Sequence, residues 1–241
     1  MKTKPFTPQE SQRYKGHLSL CEIDIEGQRR LRDARVLIVG AGGLGSPVAL
    51  YLAAAGVGRI DIVDPDTVSL SNLQRQILHG TSDIGYAKVD SARESMQRIN
   101  PDVKVESIKE FLSWRNGGSI IEGHDLVMDC TDNMEVRLLI NDLCTARDIP
   151  YIFGAVRRWG GQLFTWKPGF HGYRDIFPPD PDTQPEDLPC AIDGVLNTVV
   201  GVIGCLQATE AIKLITGTGD LLTGRLLTFD AITMKFEEFK F

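Results

Sequence analysis

The sequence holds no C-x-x-C pair: its five cysteines, at 21, 130, 144, 190 and 205, are scattered and odd in number. A disulfide scaffold and a four-thiolate zinc site are both disfavoured. Histidine is scarce, at 17, 79, 124 and 171 only, and never at metal-ligand spacing. Each reads as a surface or capping residue. Positive charge is in short supply, with 26 Lys and Arg against 32 Asp and Glu and a net charge of -6. No bulk field holds phosphate backbones, so nucleic acid is not an expected partner. The longest apolar stretch, Val195 to Leu206, is interrupted by Asn197 and Thr198 and followed by Gln207 and Glu210. That falls short of the roughly 20 residues a membrane span needs, and it reads as a buried helix with no membrane partner. Met1 to Glu10 has no apolar signal core, so a cytoplasmic location is expected.

What is present is the ordinary composition of one soluble globular domain over 1–241, with 42% hydrophobic, 24% charged and 7% aromatic residues. Thr7-Pro8-Gln9-Glu10 predicts a helix start, with Thr at the N-cap, Pro first in the helix and Glu three residues after the cap. It opens an N-terminal helical arm, 1–34, with a second helix around Gly27 to Arg32. Arg35 to Gly40 is then a short apolar run of buried-strand type. Helices follow at about 44–55, 88–99 and 134–147, alternating with strands at 59–64, 103–108, 125–129 and 151–156. That alternation predicts parallel βαβ units, an α/β Rossmann-like fold. Gly160-Gly161 reads as the separator of two strands. One long helix, about Val195 to Ile215, and antiparallel strands to Phe241 with a turn at Ala231 complete the C-terminal half. Six of the 12 prolines fall between 168 and 190 with few periodic apolar residues, so that stretch reads as a mobile crossover loop.

The turn Gly40-Ala41-Gly42-Gly43-Leu44-Gly45 sits between a strand and a helix, where glycines let backbone N–H groups approach phosphates. Asp64 ends the next strand, 24 residues after Gly40, where an acid accepts from ribose hydroxyls. Together these indicate a nucleotide without saying which, and an NAD-dependent oxidoreductase stays open.

Beyond Asp64 comes a block that a dehydrogenase does not need: Ser71-Asn72-Leu73-Gln74-Arg75-Gln76, then Gly85-Tyr86-Ala87-Lys88. With Arg13-Tyr14, Gly27-Gln28, the strand-end run Asp129-Cys130-Thr131-Asp132-Asn133, Gly201 to Gly204, Gln207-Ala208 and Glu210, the sequence resembles the ThiF/MoeB/HesA family. These are bacterial relatives of ubiquitin-activating enzymes, and the resemblance covers nearly the whole chain. It implies that ATP and magnesium activate the C-terminal carboxylate of a ubiquitin-like sulfur carrier ending in Gly-Gly, giving an acyl adenylate and pyrophosphate. Such a step gathers negative charge, so fixed cations and alignment are needed.

On that resemblance Arg75 and Lys88 contact phosphates, Asp132 holds magnesium and Asp64 binds ribose. Gly40, Gly42, Gly43, Ser71, Asn72, Leu73, Gln74 and Asn133 line the nucleotide path. Arg13 matches an arginine that reaches the ATP of the other subunit in a homodimer. Cys190 matches a cysteine that links to the activated carrier before a separate protein donates sulfur. The chain departs from the family where two C-x-x-C pairs often bind zinc: residues 170–175 read Phe-His-Gly-Tyr-Arg-Asp, and the chain ends Lys240-Phe241. Thiazole (thiamine) biosynthesis is the expected pathway, with molybdopterin synthesis as the alternative. A tRNA-adenylating relative is disfavoured by the acidic balance, and a non-catalytic subunit by the retained Arg75, Lys88 and Asp132. Elemental analysis of the purified protein is expected to find no stoichiometric zinc; one chelator-resistant zinc per chain would contradict this reading of the cysteines.

Overall fold

A computed structural model describes residues 5–178 and 194–241. The arm begins with α1 (Pro8–Arg13), closed by a capping box between Thr7 and Glu10, followed by α2 (Lys15–Leu18) and α3 (Asp24–Asp33). It lies against the body: the buried Tyr14 hydroxyl accepts from Asn100 Nδ2 at 2.9 Å, and Gln28 Nε2 donates to the Ala55 carbonyl at 2.8 Å.

The Rossmann-like half follows. It comprises β1 (Arg35–Val39), α4 (Gly45–Ala55), β2 (Arg59–Val63), α5 (Lys88–Ile99), β3 (Lys104–Ile108), α6 (Gly117–Ile121), β4 (Leu126–Asp129), α7 (Met134–Thr145) and β5 (Tyr151–Arg157). After it come β6 (Gly160–Trp166), α8 (Tyr173–Ile176), α9 (Asn197–Thr216), β7 (Arg225–Asp230) and β8 (Lys235–Lys240). All eight strands join one sheet in the order β3-β2-β1-β4-β5-β6-β7-β8. The pairs up to β4–β5 are parallel, and those from β5–β6 onward are antiparallel. The change of direction has a sequence cause: β5 and β6 are joined by two residues, too few for a parallel crossover.

Two apolar layers sandwich the sheet. Leu52, Met96, Val200 and Ile203 pack one face beneath α4, α5 and α9, while Ile121, Leu139, Ile140 and Tyr173 pack the other beneath α6, α7 and α8. Burial of such side chains supplies about 1.5–3 kcal/mol each.

Several expectations need correction. Gly160 and Gly161 lie inside β6, and the turn is at Arg158, whose φ is +53°. Gly161 serves packing instead: a Cβ there would meet Ile203 Cγ1 at 2.3 Å, so only glycine lets α9 lie on the sheet. α9 runs 20 residues and, by length and composition alone, is apolar enough to cross a membrane. Its inner face is instead packed against the sheet, and its buried polar residues have partners: Gln207 Nε2 donates to the Asp129 carbonyl, and Glu210 accepts from Thr165 Oγ1. Cys205 on α9 is half-buried, whereas Cys130 and Cys144 are buried. The proline-rich stretch begins with α8; residues 179–190, Cys190 among them, lie outside the described residues.

Two of the four histidine side chains are buried, not at the surface. His79 is 7% exposed, and the His124 side chain is likewise 7% exposed. His124 Nε2 lies 3.0 Å from Asp61 Oδ2, and Arg59 donates to both Asp61 oxygens at 2.7 and 2.9 Å. Burial pushes the Asp61 carboxyl up, but the hydrogen bonds from His124 and Arg59 outweigh it and hold the group below the usual carboxylate range. A carboxyl with a depressed folded pKa stabilises the fold above its unfolded pKa of about 3.9, and that stabilisation is lost as pH falls through the folded value. Asp61→Ala is therefore expected to cost about 2 kcal/mol in urea unfolding at pH 7, a figure reduced for the exposure of Arg59. The deficit should shrink toward pH 3; an equal deficit at both pH values would exclude the ionic account.

Candidate functional site

Strand order reverses at β1, which sits between β2 and β4, so the loops leaving the carboxyl ends of β1 and β4 diverge. In open α/β sheets that divergence is where ligands bind. A cavity of about 1140 Å³ opens there. One wall is the glycine turn between β1 and α4. Gly40 has φ +98°, and a Cβ on it would meet the Cys130 carbonyl oxygen at 2.8 Å, so β1 can turn beside β4 only with glycine here.

Of the residues singled out from sequence, Gly40, Gly42, Gly43, Asp64, Gln74, Arg75, Lys88, Asp132 and Asn133 all line this cavity. They come from five separate segments, brought together by the parallel sheet. Ser71, Asn72 and Leu73 are not on its wall; they build the 3-10 turn Leu70–Asn72 that carries Gln74 and Arg75 to it. Asn72 Oδ1 accepts from the Ser69 N–H at 3.3 Å, and Arg75 Nη1 donates to the Ser71 carbonyl at 3.3 Å. Arg13 is exposed on α1 and donates from Nη1 to the Ile99 carbonyl at 2.9 Å, away from its own chain's cavity.

The charges are arranged with little slack. Asp64 is 7% exposed and accepts from the Ala41 N–H through Oδ2 and from the Asp66 N–H through Oδ1, both at 2.8 Å. This fixes the carboxylate against the glycine turn. Lys88 is 5% exposed and begins α5; its Nζ lies 2.8 Å from Asp66 Oδ2. Asp66 is mostly exposed, so that pair is weak and a phosphate can replace it. Asp132 follows β4 with an exposed carboxylate that forms no hydrogen bond or ion pair among the described residues. Asn133 uses its Oδ1 to cap α7, accepting from the Glu135 N–H at 2.8 Å.

Sequence reasoning missed two wall residues. Gln76 is 4% exposed, and its Oε1 is buried with no hydrogen-bond partner among the described residues. Arg137 lies in the first turn of α7, donates from Nη2 to the Thr131 carbonyl at 2.7 Å and stands over the Phe153 ring. It braces the loop that carries Asp132. Buried Asp129 beneath it has its carboxyl pushed up by burial, which Arg137 and Thr131 oppose. Arg137 stands in α7 five residues beyond Asp132, which precedes the helix, and no sequence spacing marks it.

The geometry thus gathers backbone N–H groups, a buried acid, two cations and an open carboxylate on one cavity. The orphaned Gln76 oxygen on the wall fits a site completed by a ligand. Comparison with known proteins agrees. The chain is 45% identical over 227 residues to the SAMP-activating enzyme E1 of Haloferax volcanii, covering 93% of this chain and 83% of that protein. It is 44% identical over 237 residues to the molybdopterin-synthase adenylyltransferase of Escherichia coli, covering 98% and 94%. The probable adenylyltransferase/sulfurtransferase MoeZ of Mycobacterium tuberculosis is 44% identical over 235 residues, and this chain spans 59% of its length. Among solved structures, PaaA superposes with a TM-score of 0.84 at 24% identity, covering 100% of this chain and 76% of that one. The E. coli MccB + ATP structure does so at 0.81 and 22%, covering 90% and 65%, which shows a shared fold. The ThiF family pattern matches residues 14–241, and this chain belongs to the ThiF family.

Proposed function

We propose that this protein adenylates the C-terminal carboxylate of a small ubiquitin-like sulfur carrier ending in Gly-Gly. The chain is an ATP-dependent adenylyltransferase, and the oxidoreductase alternative drops out with the family. The observation that carries the reading is the convergence of Asp64, Arg75, Lys88 and Asp132 on one cavity at the strand-order reversal. A carboxylate attacking the α-phosphorus brings two anions together, and the departing pyrophosphate adds a third. Arg75 and Lys88 offset that charge where it develops, and a preorganised cation aimed at developing charge counts for more than one in water. The open carboxylate of Asp132 fits magnesium, which is held by few protein oxygens together with phosphates and water, and which supplies further charge neutralisation when bound. No cluster of three or more metal-ligating side chains exists among the described residues, consistent with an ion that arrives with its nucleotide.

The carrier of molybdopterin synthase replaces the thiazole carrier as the preferred partner. Support comes from the E. coli relative's name and from near-complete mutual coverage. Sulfur then comes from a separate protein, with Cys190 as the residue that captures the activated carrier. The working unit is a homodimer. α4 and α9 pack on each other yet leave Tyr51 56% exposed beside half-buried Cys205, Val202 and Leu206, an apolar face suited to a second copy. Arg13, turned away from its own cavity, acts across that dimer on the partner's nucleotide, where a guanidinium can pair two phosphate oxygens.

ATP-pyrophosphate exchange is the test. It is expected to need the Gly-Gly carrier, with a molybdopterin-type carrier preferred over a thiazole-type one, and to fall about 100- to 1000-fold in Arg75→Ala or Lys88→Ala. Mixing Arg13→Ala with Arg75→Ala subunits should restore exchange, because each mixed dimer holds one intact composite site. Undiminished exchange in Arg75→Ala and Lys88→Ala would remove the mechanism. A silent mixture whose mass shows mixed dimers would remove the action in trans.

A further inference from the structure

His79 is buried behind the glycine turn, not on the cavity wall, and its contacts raise a proton-counting question. Nε2 lies 2.9 Å from the Ala41 carbonyl oxygen, and Nδ1 lies 2.8 Å from Ser91 Oγ on α5. Ser91 Oγ in turn lies 2.8 Å from Asp83 Oδ2, which also accepts from the Gly80 N–H at 2.8 Å. The charged groups facing the ring are Lys88 from α5, Asp83 from the 3-10 turn Thr81–Asp83 and Asp64 from the end of β2.

A carbonyl only accepts, so Nε2 carries a proton in every state of the site. If the ring is neutral, Nδ1 is an acceptor and takes the Ser91 hydroxyl proton. Ser91 then has nothing to offer Asp83, and two lone pairs face each other across 2.8 Å. If the ring is doubly protonated, Nδ1 donates to Ser91, Ser91 donates to Asp83, and every contact in the chain holds a proton. Burial and, after the Ala41 contact that opposes it, the nearby Lys88 charge hold the free imidazole below the usual histidine range. Phosphates placed on Lys88 offset that charge and tilt the balance toward the charged ring. Ala41, held by this ring, stands between Gly40 and Gly42, and its N–H is the one bound by Asp64.

We propose that His79 is a positioning residue that holds the nucleotide-binding glycine turn through the Ala41 carbonyl and takes up a proton when nucleotide binds, completing a relay through Ser91 to Asp83. The proton comes from solvent and forms an N–H bond at Nδ1; the Ser91 hydroxyl only rotates, and no covalent bond breaks. The inference rests on the reading of the cavity as an ATP site.

Titration calorimetry of ATP into the full chain, in two buffers of different ionisation enthalpy at pH 7, tests it without any turnover. The wild type is expected to take up a measurable fraction of one proton more than His79→Gln, in which an amide can still donate to Ala41 but does not titrate. ATP affinity should stay within a few-fold in His79→Gln. It should fall about tenfold in His79→Ala, which leaves a buried carbonyl unpaired. Ser91→Ala, with the ring intact and the relay cut, should lose most of the extra uptake and guards against a misfolded His79 variant. Equal uptake in wild type, His79→Gln and Ser91→Ala overturns the proton linkage, and wild-type affinity in His79→Ala overturns the positioning role. A wild type that binds no ATP would instead overturn the adenylation reading itself.

Discussion

The peptide unit of Ala41 is held from both sides: Asp64 takes its N–H and His79 its carbonyl. The phosphate-facing turn inherits its shape from that clamp. Each partner is anchored elsewhere, Asp64 by the Asp66 N–H and His79 by Ser91 on α5. A turn made of glycines has little stiffness of its own, since glycine loses more backbone freedom on folding than any other residue. Asp64, just past β2, and His79, anchored to Ser91 on α5, supply what the turn lacks, and the end of β2 and the start of α5 also bring Asp64 and Lys88 to the cavity. Preorganisation of the donors and placement of the charges are therefore one arrangement.

The opposite wall depends on α9. Gln207 donates from Nε2 to the Asp129 carbonyl at 2.8 Å and to the Ile152 carbonyl at 3.3 Å, tying the helix to the ends of β4 and the start of β5. Arg137 braces the next residues through the Thr131 carbonyl. The Asp132 loop is thus gripped from both faces of the sheet, by α9 on one side and α7 on the other. Glu210 secures the far part of α9, accepting from Thr165 Oγ1 and the Leu222 N–H and pairing with Lys213. Gln207 and Glu210 are tolerated in the interior because they are paired; an unpaired buried polar group costs about 1–3 kcal/mol.

Aromatic rings hold β5, β6 and the C-terminus together. Tyr151 stacks on Trp166 at 5.5 Å, and Phe164 meets Phe241 edge-on at 6.1 Å, with His171 near Phe241 at 6.5 Å. The Tyr151 hydroxyl accepts from the Tyr173 N–H at 2.7 Å and donates to Asn141 at 2.9 Å, and Arg174 pairs with Asp142. The start of the crossover segment and the final residue of β8's edge are thereby joined to one aromatic layer. Such ring pairs add about 0.5–1.5 kcal/mol beyond their burial.

Local pattern by itself marked the long helices and the parallel strands, but not the short helices α2, α6 and α8. The bounds of α5, Lys88 to Ile99, were readable because Asn100-Pro101 stops the helix, and α1 because Thr7 and Glu10 cap each other at short range. Of the charged wall, Asp64 was legible from its place just past a strand, whereas Arg75, Lys88 and Asp132 were legible through the motifs that carry the family resemblance. Tertiary structure alone decided the rest. Gly161 looked like a turn residue because a glycine's sequence neighbours do not reveal that Ile203, 42 positions away, needs its missing side chain. His79 looked like surface because its partners, Ala41 and Ser91, lie on other elements; burial of a polar ring depends on contacts that no spacing encodes. Gln76 and Arg137 were hidden for the same reason. Short-range order is written in propensity, caps and periodicity, whereas the fate of a polar side chain is settled by which segments the sheet brings beside it.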